Sequence, residues 1–134
     1  MSLLIATALL LAQSGAANAA LDCANAITQR DMTECAGREW QQADGELNRQ
    51  WERTAANMRQ RDAVYDHSHE DRPGFFDQLL AAQRAWLTFR DAHCATEGYL
   101  ARGGTLEPML VGQCKAELTR QRTRQLQSIE EWPE

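Results

Sequence analysis

Four cysteines, at positions 23, 35, 94 and 114, restrict the fold of this 134-residue chain more than any other feature. The chain begins with an export-like segment, and exported proteins fold where thiols are oxidised to disulfides. Three pairings are open; the local one, Cys23–Cys35 with Cys94–Cys114, is favoured because each bridge closes a short loop. Each bridge would stabilise the domain by roughly 3 kcal/mol in the chain-entropy model. Zinc is the alternative, but no pair has the close CxxC-type spacing of a structural zinc site.

Residues 1–20, MSLLIATALLLAQSGAANAA, have the pattern of a secretory signal peptide. They contain no charged side chain, an apolar run from residue 3 to 12, and small residues before a cleavage site at Ala19 or Ala20. The apolar run is too short to span a membrane as a helix. We therefore expect residues 21–134 to form one helical domain in the periplasm or outside the cell, without stable insertion into a membrane. This domain keeps all of the formal charge of -5.

Apolar residues recur at helical spacing over three segments, and β-branched residues are sparse after the signal. The first segment runs from about 31 to 62, with a break expected near Gly45, and the second runs from about 75 to 100. Thr105 is predicted to cap a third helix, which ends before Trp132. Short connections between such helices favour an all-α fold: a small antiparallel bundle of about three main helices, stapled by two disulfides.

Two polar residues fall inside the apolar stripe of the second helix. Gln83 and Arg90 are seven residues apart and therefore lie on one line, about two turns from each other. A charge in this position needs a hydrogen-bonded partner. We predict a structural polar network in which Asp44 accepts from Arg90, with Asn48 and Gln83 completing it. The alternative is that Arg90 reaches the surface while its stem packs on neighbouring rings.

The segment between the first two helices, DHSHEDRPG, has one cluster with metal-ligand chemistry. The side chains of His67, His69, Glu70 and Asp71 could hold Zn²⁺ or Cu²⁺ weakly, but a polar connecting loop explains them as well. No Ser/His/Asp or Cys/His arrangement indicates catalysis, so we expect no catalytic residue, no cofactor and no enzyme activity. The acidic balance disfavours nucleic acid as a partner.

The chain resembles the secreted LprI-like lysozyme-inhibitor domain family. The shared pattern extends from Cys23 to about Leu126, and its most specific stretch is AQRAWLTFRDAHC, residues 82–94. It comprises Cys23, Thr28, Cys35, Ala43, Asp44, Leu47, Asn48, Gln83, Trp86, Arg90, Asp91, Cys94, Gly103, Gly104, Thr105, Met109, Cys114, Leu118, Thr119 and Arg122. The resemblance implies an α-helical fold with disulfides. It also implies lysozyme inhibition. The member that gave the family its name carries a lipid attachment, which we do not expect here because Asp22, not a small residue, precedes Cys23.

Three functions follow as hypotheses. The first is a protein-binding module whose partner is a lysozyme-type glycan hydrolase, since an acidic protein would be attracted to a basic enzyme. Its candidate partner-binding loops are the segment with His67, His69, Glu70 and Asp71 and the Gly103-Gly104 turn. The second is an interaction or stress-related structural protein of the envelope with no lysozyme target. The third is weak metal binding through residues 67–71.

Overall fold

The computed structural model describes residues 20–133, which fold into three long helices. Helix α1 spans Gln29–Val64, α2 spans Phe75–Gly98 and α3 spans Glu107–Glu130, with short 3-10 helices at His67–His69 and Tyr99–Ala101. Within residues 20–133 there is no β-strand, and no helix is long and apolar enough to cross a membrane. The predicted all-α bundle of three main helices is confirmed. The predicted signal peptide lies outside the described residues, except for Ala20.

Helix α1 begins slightly earlier than predicted and runs without a break. Thr28 caps it, because its side-chain oxygen accepts from the backbone N–H of Asp31 at 3.1 Å. The prediction of a break near Gly45 is wrong, since the helix is continuous there. A glycine inside a helix costs about 1 kcal/mol relative to alanine, and burial of Ala43 and Leu47 on either side of Gly45 offsets that cost.

The start of α3 also differs from the prediction. Thr105 was expected to cap this helix, but it lies in a turn, and Leu106 occupies the N-cap position without a side-chain hydrogen bond. The Glu107 carboxylate instead accepts from the backbone N–H of Gly103 at 2.7 Å. This contact draws the turn against the first turn of α3 and leaves no helix start for Thr105 to cap.

Helices α1 and α3 pack closely through small side chains. Gly112 on α3 faces Ala36 on α1, and a Cβ added to this glycine would lie 3.2 Å from the Ala36 Cβ. Ala43 and Ala116 are almost fully buried as well. Thr54 ties the two helices together because its hydroxyl donates to the Leu126 carbonyl at 3.1 Å. We call this contact the α1–α3 seam.

Helix α2 is joined to the other two helices by larger side chains. The buried core consists of Leu47, Met58, Leu79 and Leu126, one or more from each helix. Partly buried rings and an isoleucine pack around it, namely Trp51, Phe76, Trp86 and Ile129. Because these side chains are long, α2 sits farther from α1 than α3 does, and its backbone makes fewer close contacts with α1.

Both disulfides lie towards one end of the bundle, and their pairing is the local one favoured from the sequence. Cys23–Cys35 (Cα to Cα, 5.6 Å) fastens the N-terminal segment to the second turn of α1, and Cys94–Cys114 (5.4 Å) links α2 to α3. We call this half the stapled end. The open end, where α1 and α3 finish and α2 begins, contains no disulfide within the described residues.

Candidate functional site

The connection between α1 and α2, residues 65–74, is fixed at the open end by a carboxylate of α1. Asp62 accepts from the backbone N–H groups of Phe75 (N to Oδ1, 2.7 Å) and Phe76 (N to Oδ2, 2.9 Å). These donors belong to the first turn of α2, which has no partners for them within the helix. Asp62 therefore caps the helix on the far side of the loop and sets where the loop ends.

Tyr65 is the centre of the contacts inside this loop. Its hydroxyl donates to Glu70 Oε1 at 2.8 Å, and its ring meets the rings of His67 and Phe75 edge-on, with centroids 4.8 and 5.4 Å away. Glu70 also pairs with Arg72. The Tyr65 hydroxyl and the Arg72 guanidinium lower the pKa of Glu70, and the same hydrogen bond raises the pKa of Tyr65. The loop thus presents an ionised Glu70 in a fixed position at neutral pH.

Two open cavities flank Tyr65. One has a volume of about 330 Å³ and is lined by residues of the loop, with the charged or polar His67, Glu70 and Arg72 beside the Phe75 ring. The other, of about 290 Å³, is bordered by Val64, whose side chain is 82% exposed, and by the ring of Phe75. The open end therefore combines exposed apolar surface with charged groups held in place, as partner-binding surfaces do.

The Gly103-Gly104 turn, the other predicted partner-binding segment, lies at the stapled end. Gly103 has a φ angle of 78°, which favours glycine, and the Gly104 N–H donates to the Ala101 carbonyl at 2.9 Å. Leu100, just before the turn, is 86% exposed. The two candidate partner-binding segments are thus at opposite ends of the bundle, and they do not form one surface.

The polar residues predicted inside the stripe of α2 belong to two separate groups. In the first, the buried Arg90 has its Nη1 3.5 Å from Asp44 Oδ1, and its Nε donates to Asp91 Oδ1 at 3.0 Å. Asn48 Nδ2 lies 3.5 Å from the other oxygen of Asp44. At 3.5 Å these contacts are longer than a typical hydrogen bond, so attraction between the charges accounts for most of the Arg90–Asp44 interaction.

Aromatic rings enclose the Arg90 guanidinium. Its Cζ lies 5.2 Å from the ring centroid of Trp86 and 5.6 Å from that of Trp40, and Lys115 approaches Trp40 as well, at 4.5 Å. Burial raises the pKa of Asp91, but the hydrogen bond from Arg90 and the nearby charges of Arg90 and Lys115 outweigh it, so the net shift is downward. These residues thus form a layer of alternating rings and charges between α1, α2 and α3.

Gln83 is in the second group, and here the structure corrects the prediction. Its Oε1 accepts from Arg122 Nε on α3 at 2.9 Å, and no hydrogen bond joins it to Arg90 among the described residues. Arg122 belongs to the pattern shared with the family, but no partner was predicted for it. One signal was available: Arg122 lies four residues before the buried Leu126 and therefore on the same face of α3.

Burial gives Arg122 an unusual environment for a guanidinium. Its side chain is 8% exposed, and desolvation lowers its pKa, although an arginine stays protonated at neutral pH. Nη1 lies 3.2 Å from Gln125 Oε1, whereas Nη2 is shielded from water and has no hydrogen-bond partner among residues 20–133. No carboxylate of that range lies within 4.0 Å of Arg122.

The residues of the loop that could offer metal ligands face different partners. His67 Nε2 lies 3.6 Å from Asp62, and His69 Nε2 lies 3.5 Å from Asp66, so the two imidazoles do not converge. Within residues 20–133, three potential ligands come together elsewhere, at His93, Glu97 and Cys114. Cys114 is in a disulfide and cannot offer a thiolate. His93 is exposed, and its Nε2 lies 3.1 Å from Glu97 Oε1.

Comparison with known proteins identifies the family. The model of the lysozyme inhibitor LprI family matches residues 21–126. An uncharacterized protein of Rhizobium meliloti (strain 1021) is 40% identical over 129 residues, which cover 94% of this chain and 93% of that protein. No solved structure matches the chain significantly. The matched residues include α1, α2, most of α3 and both disulfides, and the chain belongs to the lysozyme inhibitor LprI family.

Proposed function

We propose that this protein is exported and inhibits a lysozyme-type glycan hydrolase by binding it through the open end of the bundle. Membership of an inhibitor family supports the class of partner. We choose this surface because the 65–74 loop is ordered: contacts of Tyr65, Glu70 and Asp62 hold its exposed side chains in place. A loop already ordered before binding loses little conformational entropy when a partner docks.

The chemistry of the open end suits a basic enzyme better than the turn at the stapled end does. The loop contains three carboxylates, Asp66, Glu70 and Asp71, and Tyr65 and Phe75 provide exposed aromatic surface beside them. Negative groups increase the association rate with a basic partner, and aromatic side chains often contribute much of the binding energy. The Gly103-Gly104 turn has no carboxylate of its own, and Glu107 beside it is bonded to Gly103.

Export is the second part of the proposal. The two disulfides are stable in the periplasm or outside the cell, where residues 1–20 would direct the chain as a cleavable signal peptide. Fractionation of the producing cells, with mass spectrometry of the purified protein, tests this directly. We expect the protein in the envelope or medium with an N-terminus at Ala20 or Leu21; a cytoplasmic protein that retains Met1 would contradict export.

Inhibition is tested by following lysis of bacterial cell walls by a basic lysozyme with and without purified residues 21–134. We expect lysis to slow in proportion to the added protein. Asp71→Lys reverses a charge on the loop and should weaken inhibition, whereas Glu39→Lys makes the same charge change on the exposed surface of α1 and serves as the matched control. Unchanged lysis at a molar excess, across several lysozymes, would contradict inhibition.

The same variants test the proposed surface separately. If the wild-type protein inhibits and Asp71→Lys inhibits equally well, the inhibitory surface is not the acidic side of the loop. Pull-down from an envelope extract then distinguishes an inhibitor from an envelope scaffold: a glycan hydrolase should be enriched with the wild-type protein and not with Asp71→Lys. Enrichment of other envelope proteins alone would favour the scaffold.

A further inference from the structure

A cleft near the open end lies between all three helices and is distinct from the cavities beside the loop. It has a volume of about 250 Å³ and is open to solvent on one side. Its walls are mostly apolar and include Met58 of α1, Leu79 and Ala82 of α2, and Ile129 of α3. Apolar cavities of about 150 Å³ in other proteins accept a ligand as large as benzene. The cleft is therefore large enough for a short hydrocarbon chain.

Arg122 is the charged residue in the wall of this cleft. Two of its three nitrogens are bonded to neutral amides, those of Gln83 and Gln125, and Nη2 has no partner within the described residues. A buried cation without an anionic partner is costly, and a buried donor without an acceptor calls for an explanation. Neutral glutamine oxygens satisfy hydrogen bonds without cancelling the charge.

We propose that the cleft binds a medium-chain fatty acid, with the carboxylate at Arg122 and the hydrocarbon tail against the apolar walls. The guanidinium would supply the charge-assisted hydrogen bond that Nη2 now lacks. The tail would remove apolar surface of Ile129 and Ala82 from water. Binding therefore needs both parts of the ligand: a carboxylate to pair with Arg122 and a hydrocarbon tail to contact the apolar walls of the cleft.

The carboxylate must displace a side chain to reach Nη2, because that nitrogen is shielded from water. Met58 and Gln78 both line the cleft, and both are unbranched side chains that change rotamer without moving a helix. Helix α2 is also held to α1 by long side chains rather than by close backbone contact. The wall can therefore adjust while the α1–α3 seam stays in place.

The test is titration of the purified protein with sodium octanoate below its micelle concentration, followed by ¹H–¹⁵N NMR and calorimetry. We expect saturable binding with shifts at the amides of Leu79, Ala82 and Ile129. Octan-1-ol has the same tail without the charge and should bind at least about tenfold more weakly, since its hydroxyl can accept a hydrogen bond from Arg122 but cannot neutralise the guanidinium. Acetate has the charge without the tail and should give no saturable shifts.

Two variants and a control complete the experiment. Arg122→Met should weaken octanoate binding at least about tenfold, whereas Arg124→Met, an exposed arginine on the same helix, should leave it unchanged. Ala82→Phe places a ring in the mouth of the cleft from an exposed position and should abolish binding even if Arg122→Met does not fold. Equal affinity for octanoate and octanol, no saturable binding by the wild type, or undiminished binding by Ala82→Phe would overturn the proposal. Because no hydrolase is involved, the result does not depend on the inhibition assay.

Discussion

The two ends of the bundle are stabilised by different kinds of interaction. At the stapled end, two covalent bridges and small residues hold the helices together, with Cys94 fully buried and Gly112 packed against Ala36. At the open end, the 65–74 loop depends on hydrogen bonds and ring contacts around Asp62 and Tyr65. The chain therefore concentrates its strongest constraints at one end and leaves the other to weaker, exposed contacts, which suit a surface for binding.

The largest effect should come from removing the disulfide that links α2 to α3. We expect Cys94→Ala with Cys114→Ala to lower the free energy of unfolding by about 3 kcal/mol or more, because a closed loop is released and the buried Cys94 sulfur is lost. Urea denaturation measures the change. Cys23→Ala with Cys35→Ala removes a bridge that closes a shorter loop, and it should lower the free energy of unfolding less. If removing Cys23–Cys35 lowers the free energy of unfolding as much or more, Cys94–Cys114 is not the bridge that stabilises the fold most.

The next effect tests the seam at the same end. Gly112→Val should destabilise the protein by about 1–3 kcal/mol, because the added methyl groups meet Ala36 with little room for the helices to separate. Thermal and urea unfolding measure it. Gly37→Val is the matched control, since a Cβ at Gly37 meets nothing within 4 Å. Equal destabilisation by both changes would mean that helix propensity, not close packing, decides the result.

A smaller effect is expected for the charged pair between α1 and α2. Asp44→Ala and Arg90→Ala should each destabilise the protein, and the double variant should lose less than the sum, with a coupling of about 0.5–1 kcal/mol. The pair is half exposed through Asp44, so solvent screens much of the attraction. If the two single effects simply add, the residues are not coupled, and the polar network described for Asp44, Asn48 and Arg90 is not an energetic unit.

At the open end, Asp62→Ala removes the cap of α2. It should lower the free energy of unfolding by about 1 kcal/mol, because two backbone N–H groups lose their acceptor. Hydrogen exchange should accelerate at Phe75 and Phe76 while the amides around Cys94 stay protected. Asp77→Ala, an acidic residue in the same first turn, is the control. Faster exchange throughout α2 would show that the two ends are not energetically separate.

The smallest effect concerns the loop itself. Glu70 has a pKa below its ordinary value of 4.5, chiefly because the Tyr65 hydroxyl donates to its charged form. Its contribution to the order of the loop is therefore present above pH 4.5 and is lost as the pH falls through the lowered pKa. In Tyr65→Phe the pKa of Glu70 should rise towards 4.5, as measured by carboxyl ¹³C NMR. An unchanged pKa would assign the shift to Arg72 alone.

Local signals in the sequence were enough to predict the three helices and both bridges. Apolar spacing defines a helix within a few turns, and a short loop between cysteines needs no knowledge of the rest of the fold. The partner of Gln83 could not be predicted in this way, because it depends on how α3 is rotated relative to α2. Arg122 belongs to the family pattern and lies on the same face of α3 as Leu126, but only the packed structure shows that it is buried and bonded to Gln83.

The α1–α3 seam also decides which sequence changes the chain can accept. Positions such as Ala36, Gly112 and Ala116 leave no space for a larger residue, so they should be nearly invariant in size among relatives. The N-terminal half of helix α2 is different, since long side chains fill the space beneath it and one can shrink where another grows. Its C-terminal end is not, because a Cβ added to Gly98 would lie 2.6 Å from Val111 of α3. Related chains can thus diversify the loop before α2 and the first turns of α2, and with them their ligands and partners, while the rest of the bundle preserves the fold.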